Sequence, residues 1–209
     1  MKFFPYSTEL RYISVILFGF ILIAVGATKE RSHPDAYLVP FLDVVQQPDD
    51  ITCGPTSVAM LVGHYKGLKV SVDEVKNYTR TVWYSKNGND FGMTAPSFIQ
   101  EGLKQYGIES IVKQGDLDRL KHFVGMGKPC IVLVRSAEWN WHYVVVVGYG
   151  GGIIYFANPA SGSVEGLSEK EFYNAWSWSG DIHGRDCSWW IAFLLRSLDV
   201  YPRTMIYAL

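Results

Sequence analysis

The hydrophobic pattern changes from a helical to a strand period partway along the chain, and this change constrains the fold most. In the first part, apolar residues recur on one helical face at Val58, Leu61, Val62 and Tyr65. From residue 130 onwards, short β-branched and aromatic runs bounded by glycine or proline take over, as expected of strands. Helices followed by an antiparallel sheet predict an α+β domain.

Local signals divide the first part of this domain into four short helices. The first is predicted over residues 53–66, with Pro55 in its first turn and Gly67 as its stop. Ser71 and Glu74 form the capping-box pattern at the start of a second helix. The other two are predicted over residues 94–106 and 116–123.

The second part is predicted to contain strands over residues 130–134, 143–149, 153–157 and 188–195. Three glycines at 150–152 supply a hairpin turn between the second and third of these strands. Ser168 and Glu171 predict another capped helix, over residues 168–176. Residues 81–93, between the second and third helices, show no clear period and are expected to be irregular.

The N-terminus has the pattern of an export signal. Lys2 and Arg11 precede a charge-free run over residues 12–27, which ends in small residues. This pattern predicts a signal peptide over residues 1–27, or an uncleaved membrane anchor there. The run of 16 residues is short for a membrane span, which needs about 20. Residues 28–40 are then a linker and residues 41–209 the folded domain, and either reading predicts an extracytoplasmic location, periplasmic or secreted.

Composition excludes several classes of function. Lys and Arg together number 19 against 20 Asp and Glu, so no nucleic-acid partner is expected. A polar cluster near the end of the chain matches no zinc-binding spacing, and its members are Asp181, His183, Asp186 and Cys187. No cofactor and no metal are therefore predicted.

The chain contains 3 cysteines, an odd number for an extracytoplasmic protein. In an oxidising compartment the unpaired one is either a functional thiol or an intermolecular partner. Cys130 lies in an apolar strand and is expected to be buried. A disulfide between Cys130 and Cys187 stays open, because sequence alone does not place their Cα atoms within reach.

Three residues are candidates for catalysis, and each also has a structural interpretation. Cys53 opens a helix, where the dipole lowers a thiol pKa, although a free cysteine is often only a small buried side chain. His142 begins a strand and can face a cleft, or it can be a hydrogen-bonded structural histidine. Asn158 follows the next strand and can orient the imidazole, or it can simply open an Asn-Pro turn.

Taken together, these residues occur in an order and spacing that resemble a known family. Gln47 lies six residues before the Cys53-Gly-Pro start of a helix, His142 leads a strand, and Asn158-Pro follows the next strand. The pattern is similar to the papain-like clan, and within it to cysteine peptidase family 39, the bacteriocin-leader-processing peptidases and their stand-alone relatives. The matching segments, spread over residues 41–195, are QPDDITCGPTSVAMLVGHY, GKPCIVLV, HYVVVVGY and YFANPASG.

The resemblance implies a papain-like fold and a thiol peptidase acting on a peptide or protein substrate. In it, the Cys53 thiolate attacks a carbonyl, His142 serves as base and Gln47 helps to bind the oxyanion. Two features depart from the family, which usually has Asp where Asn158 stands and an acidic residue where Thr52 stands. A Cys53–His142 pair of this kind is expected to have a lowered thiol pKa and a raised imidazole pKa. The double-glycine leader of the family is not carried over as the substrate, and membrane contact is expected only through an uncleaved N-terminal segment.

Two other functions stay open at this stage. The same acyl-enzyme chemistry can pass the acyl group to an amine, which makes an amide acyltransferase. Alternatively, the scaffold is a catalytically idle module that binds a peptide. Trp139 and Trp141 closely precede His142 and suit either a substrate groove or a packed rim.

Overall fold

The computed structural model describes residues 34–40, 42–86, 89–136, 140–177 and 202–209. The predicted signal or anchor over 1–27 and the predicted strand over 188–195 lie outside these residues, so both stay predictions. The compact unit that contains the described residues runs from His33 to Leu209. Among its described helices, none is long and apolar enough to cross a membrane.

The helix α1 (Cys53–Lys66) has the predicted bounds and is buried over most of its length. Gly67 ends it in the left-handed conformation at φ 66°, and its N–H donates to the Gly63 carbonyl oxygen at 2.9 Å. Nine consecutive residues from Gly54 onwards are buried, because α1 packs on the sheet with one face and on two neighbouring helices with others. Because α1 is covered on several sides, its first residue is held in a well-defined position.

The remaining helices agree with the predicted ones to within a few residues. They are α2 (Val72–Tyr78), α3 (Pro96–Gln105), α4 (Leu117–Gly125) and α5 (Glu169–Ser177). The capping box predicted for α5 is formed, with the Ser168 N–H donating to Glu171 Oε2 at 3.1 Å and the Glu171 N–H to Ser168 Oγ at 3.3 Å. The one predicted for α2 is absent, because the Glu74 carboxylate accepts instead from the Tyr106 hydroxyl at 3.0 Å.

Within the described residues the sheet has seven strands, all paired antiparallel. They are β1 (Tyr37–Leu38), β4 (Ser110–Gln114), β5 (Cys130–Ser136), β6 (Asn140–Gly150), β7 (Ile153–Asn158), β8 (Ser163–Ser168) and β9 (Thr204–Ala208). The order across the sheet is β4-β9-β5-β6-β7-β8, with β1 added beside the end of β6. The sequence predicted β5, β6 and β7, and did not predict the other four.

A separate hairpin corrects the prediction for residues 81–93. Its strands are β2 (Val82–Lys86) and β3 (Asn89–Met93), where an irregular segment was expected. They pair with Lys86 opposite Asn89. The prediction was wrong because the sequence of this segment lacks the regular apolar alternation by which a strand is recognised.

The strand β6 is the core of the sheet and carries His142 near its start. Its residues Val144, Val145, Val146 and Val147 are each at most 2% exposed. Because successive side chains of a strand point to opposite faces, this run is buried on both sides of the sheet. The predicted α+β architecture is confirmed, with the helical part packed on the antiparallel sheet.

We expect Gly148→Ala to destabilise the fold, because a Cβ there would lie 2.8 Å from the Tyr37 carbonyl oxygen on β1. The cost should be about 1–3 kcal/mol, the range for inserting a carbon into a tightly packed site. Gly63→Ala is the control, since its Cβ would meet nothing nearer than 3.7 Å. That helix substitution should be neutral or stabilising by up to about 1 kcal/mol. Urea unfolding followed by circular dichroism measures both changes, and equal effects would contradict the assignment.

Candidate active site

Cys53 is the first residue of α1 and is half-buried. The turn before it is organised by Asp49, whose Oδ1 accepts from the Ile51 N–H at 3.0 Å and whose carbonyl accepts from Thr52 Oγ1 at 3.3 Å. Lys76 on α2 lies 3.5 Å from the other Asp49 carboxylate oxygen. Local hydrogen bonds and an ion pair thus fix the backbone that leads to Cys53.

Gly54 lies at a close contact between α1 and the start of α3. A Cβ at this position would lie 2.9 Å from Ile99 Cδ1 and 3.1 Å from Thr94 Cβ. The missing side chain therefore allows α1 to pack closely against α3 and against Thr94, which lies two residues before that helix. Thr94 also links this contact to the sheet, because its carbonyl accepts from the buried Tyr143 hydroxyl at 2.8 Å.

The sulfur of Cys53 lies against the start of β6. The backbone N–H groups of Tyr143, Gly54 and Cys53 itself stabilise the thiolate by hydrogen bonding. Tyr143 directly follows His142, so the structure brings the two predicted catalytic residues to the same place in the fold. The packing of α1 on β6 brings these residues together, although they lie far apart in the sequence.

His142 and Asn158 form a direct hydrogen bond, with 2.8 Å between Nε2 and Oδ1. The Ala160 backbone N–H, which can only donate, lies 3.0 Å from the same Asn158 atom and therefore identifies it as oxygen. His142 Nε2 must then carry a hydrogen and donate it. This leaves Nδ1 as the imidazole nitrogen that accepts a proton when the ring acts as a base.

Gln47 is brought to the same loop as Asn158. Its backbone N–H donates to the Pro159 carbonyl oxygen at 2.8 Å, and the side chain of the preceding Gln46 reaches the Ala160 carbonyl at 3.4 Å. The Gln47 Oε1 atom is buried and has no hydrogen-bond partner among the described residues. The Gln47 side-chain oxygen therefore makes no structural hydrogen bond within this part of the chain.

Burial sets the pKa values of the pair in the opposite direction to the one expected from sequence. Burial raises the pKa of the Cys53 thiol, outweighing the backbone N–H groups at the sulfur, and the charge of Asp49 raises it further. Burial lowers the pKa of His142, although the hydrogen bond to Asn158 and the charge of Glu165 act to raise it. Both directions favour a neutral thiol beside a neutral imidazole.

Glu165 is the residue of this site that the sequence did not reveal. Its Oε1 accepts from Asn158 Nδ2 at 2.9 Å. Asn158 ends β7 opposite Ser163 on β8, so Glu165 is its diagonal neighbour two residues further along. Glu165 could have been identified only from the position of β8 in the sheet and its register with β7. The sequence does not reveal either, because β8 is too polar to be recognised as a strand.

The other sequence candidates lie away from this hydrogen-bonded group or outside the described residues. Cys130 is fully buried, as predicted, and burial raises the pKa of its thiol. Trp141 is 38% exposed, and the guanidinium carbon of Arg135 lies 5.3 Å from the centroid of the Trp141 ring. Outside the described residues lie Trp139, Asp181, His183, Asp186 and Cys187. Among the described residues, no three His, Cys, Asp or Glu side chains group as a metal site.

Comparisons with known proteins match nearly all of the described domain. The model of a family described as Peptidase C39 like family matches residues 41–182. Among curated proteins, the chain is 25% identical over 135 residues to the lactococcin-G-processing and transport ATP-binding protein of Lactococcus lactis subsp. lactis. The match covers 64% of this chain but only 18% of that protein.

Two solved structures share the fold. The peptidase domain of Streptococcus ComA, a bifunctional ABC transporter of a quorum-sensing pathway, superposes with a TM-score of 0.55 at 21% identity. The match covers 80% of this chain and 98% of that domain. A putative C39-like peptidase from Bacillus anthracis gives a TM-score of 0.61 at 17% identity, over 84% of this chain and 98% of that one.

We expect the lowered pKa of His142 to make the fold sensitive to mild acid. The unfolded histidine takes up a proton near its ordinary pKa of about 6.5, whereas the buried ring resists it. The associated stability is present above that pH and is lost as the pH falls below it, by at most about 1.4 kcal/mol per pH unit for one proton. His142→Gln should remove this component. Denaturant unfolding at about pH 7.5 and pH 5.5 tests this, and an identical pH dependence in the variant would contradict it.

Proposed function

Because the chain belongs to the Peptidase C39 like family of cysteine peptidases, we propose that Cys53, His142 and Asn158 act in it as a catalytic triad that hydrolyses peptide or isopeptide bonds. The observation that carries this proposal is the Nε2–H to Oδ1 hydrogen bond between His142 and Asn158. It fixes the ring in the tautomer that can take a proton through Nδ1. It does so at the start of the strand against which the Cys53 sulfur lies.

The neutral resting pair defines the first step of the reaction. As the Cys53 sulfur bonds to the substrate carbonyl carbon, its proton passes to His142, so the thiolate need not exist in the empty site. The carbonyl oxygen takes the negative charge and is stabilised by the Cys53 backbone N–H and the Gln47 amide. Breakage of the C–N bond follows, and His142 gives its proton to the leaving amine.

Hydrolysis of the acyl-enzyme completes the cycle. A water molecule adds to the thioester carbonyl and loses a proton to His142, and the C–S bond breaks. The carboxylic acid product leaves, and the proton returns from His142 to the sulfur. If the acyl group of this thioester passed to an amine instead of water, the enzyme would be an acyltransferase. The ratio of product formed with and without added primary amine distinguishes hydrolysis from acyl transfer.

We infer a peptide substrate outside the cytoplasm for this chain. The inference is supported by the basic start and charge-free run over residues 1–27. The lactococcin-G-processing protein combines its peptidase-like segment with transport, and this chain matches only 18% of its length. Its leader-processing role is therefore not assigned to this chain.

A thiol-directed peptide probe should label Cys53, since this thiol is half-buried whereas Cys130 is fully buried. His142→Ala should slow labelling by about a hundredfold or more, the usual contribution of a general base. Cys130→Ala is the matched control and should be labelled like the wild type. Mass spectrometry of the modified peptides measures this. Labelling at Cys130, or labelling that ignores the loss of His142, would contradict the triad and favour the idle binding module.

Gln47→Ala should lower cleavage of a peptide library by about a hundredfold or more, since an oxyanion donor is lost. The neighbouring Gln46→Ala is the control, because Gln46 is exposed and makes only a long bond to the Ala160 carbonyl. Probe labelling of Cys53 should persist in both variants if the fold is intact. Equal cleavage by the two variants would remove Gln47 from the site.

A further inference from the structure

We propose that Glu165 is a positioning residue of this site, which holds the Asn158 amide in its working orientation and supplies the negative charge behind His142. The proposal rests on the triad proposed above and adds a fourth group to it. Asn158 Nδ2 donates to Glu165 Oε1 at 2.9 Å, while Asn158 Oδ1 accepts from His142 at 2.8 Å. A continuous chain of hydrogen bonds therefore runs from the imidazole to a carboxylate.

The direction of every bond in this chain is determined by its partners. The Ala160 N–H requires oxygen at Oδ1, so the other amide atom is the NH2 group, and it must donate. A carboxylate is the acceptor that matches it best. If the Asn158 amide turned over, it would point its NH2 group at the Ala160 N–H and its oxygen at Glu165. Glu165 therefore excludes the orientation in which Asn158 cannot accept from His142.

Glu165 is itself held in place. Its Oε1 also accepts from Ser161 Oγ at 2.6 Å, so one carboxylate oxygen receives two hydrogen bonds. The strand pairing of β7 and β8 fixes the backbone on both sides of this contact, with Phe156 opposite Glu165. A side chain anchored by pairing and by two donors is a precise support for Asn158.

The charge of Glu165 addresses a specific difficulty of this site. Burial disfavours the imidazolium that the reaction requires, and Asn158 is neutral and so offers it no charge. Glu165 is the group whose charge favours protonation of His142. Other titratable or charged groups near the pair are Cys53 on α1 and Asp49, whose charge acts on Cys53. Arg135 on β5 lies over the Trp141 ring.

Glu165→Gln tests the charge while keeping the shape, because glutamine retains an oxygen that can accept from Asn158 and Ser161. Peptide-probe labelling of Cys53 at neutral pH should slow on the order of tenfold, as at the lower end of the losses seen when the outer hydrogen-bond partner of a metal-binding histidine is removed. The His142 pKa, followed by NMR of protein labelled with nitrogen-15 histidine, should fall further. A purely structural role would leave that pKa unmoved.

Two further variants make the test specific. Glu109→Gln removes the same charge from an exposed residue just before β4, at the opposite edge of the sheet from β8, and should change neither readout. Asn158→Asp would place a carboxylate 2.9 Å from that of Glu165, which forces one of them to bind a proton and should slow labelling. In the double variant Asn158→Asp with Glu165→Gln, the new amide can donate to the new carboxylate. This variant should label Cys53 faster than Asn158→Asp alone.

The outcomes separate this inference from the proposed triad. If wild-type Cys53 is unlabelled, or His142→Ala labels equally well, the triad itself fails. If labelling depends on His142 but Glu165→Gln matches the wild type in rate and His142 pKa, Glu165 is not a positioning residue. A double variant no faster than Asn158→Asp alone would likewise overturn the inference, since the two positions would then act independently.

Discussion

Packing of α1 on β6 is the contact on which the rest of this molecule depends. It buries the apolar face of the helix, including Val58, Leu61 and Val62, against the valine run of the strand. Each of these fully buried side chains contributes about 1.5–3 kcal/mol relative to an exposed one. Because Cys53 begins the helix and His142 lies near the start of the strand, the same contact that stabilises the core brings the proposed nucleophile and the proposed base together. Thr94 tightens it, by packing on Gly54 and accepting from Tyr143.

The polar groups at this end of the sheet have to satisfy one another, because water hardly reaches them. His142 is 6% exposed and Asn158 only 2%. A buried polar atom without a partner costs about 1–3 kcal/mol. This requirement is met by a chain of hydrogen bonds with defined donors and acceptors, which joins the Ala160 N–H, Asn158, His142 and Glu165. Burial lowers the pKa of His142 whereas the charge of Glu165 raises it, so the two act on the imidazole in opposite directions.

Much of the site was predictable from sequence because its signals are local. The start of α1 at Cys53 follows from apolar spacing and from Pro55, and β5 to β7 follow from their unbroken apolar runs. What escaped prediction depends on pairing across the sheet. The strand β8 shows no apolar run, and Glu165 gains its meaning only from the register with β7. The pKa directions were also missed, because the effect of a helix N-terminus is local whereas desolvation depends on everything packed around the sulfur.

The position of β9 has a consequence for how the chain is made. Residues 204–208 are all buried and lie between β4 and β5, with Val112 opposite Ile206. The strand β5 in turn borders β6, which carries His142. During synthesis, β4 and β5 emerge from the ribosome long before the strand that joins them, so the sheet stays open until residue 208 has been translated. Closure of the sheet beside β5 therefore has to wait for a strand that lies far from it in the sequence.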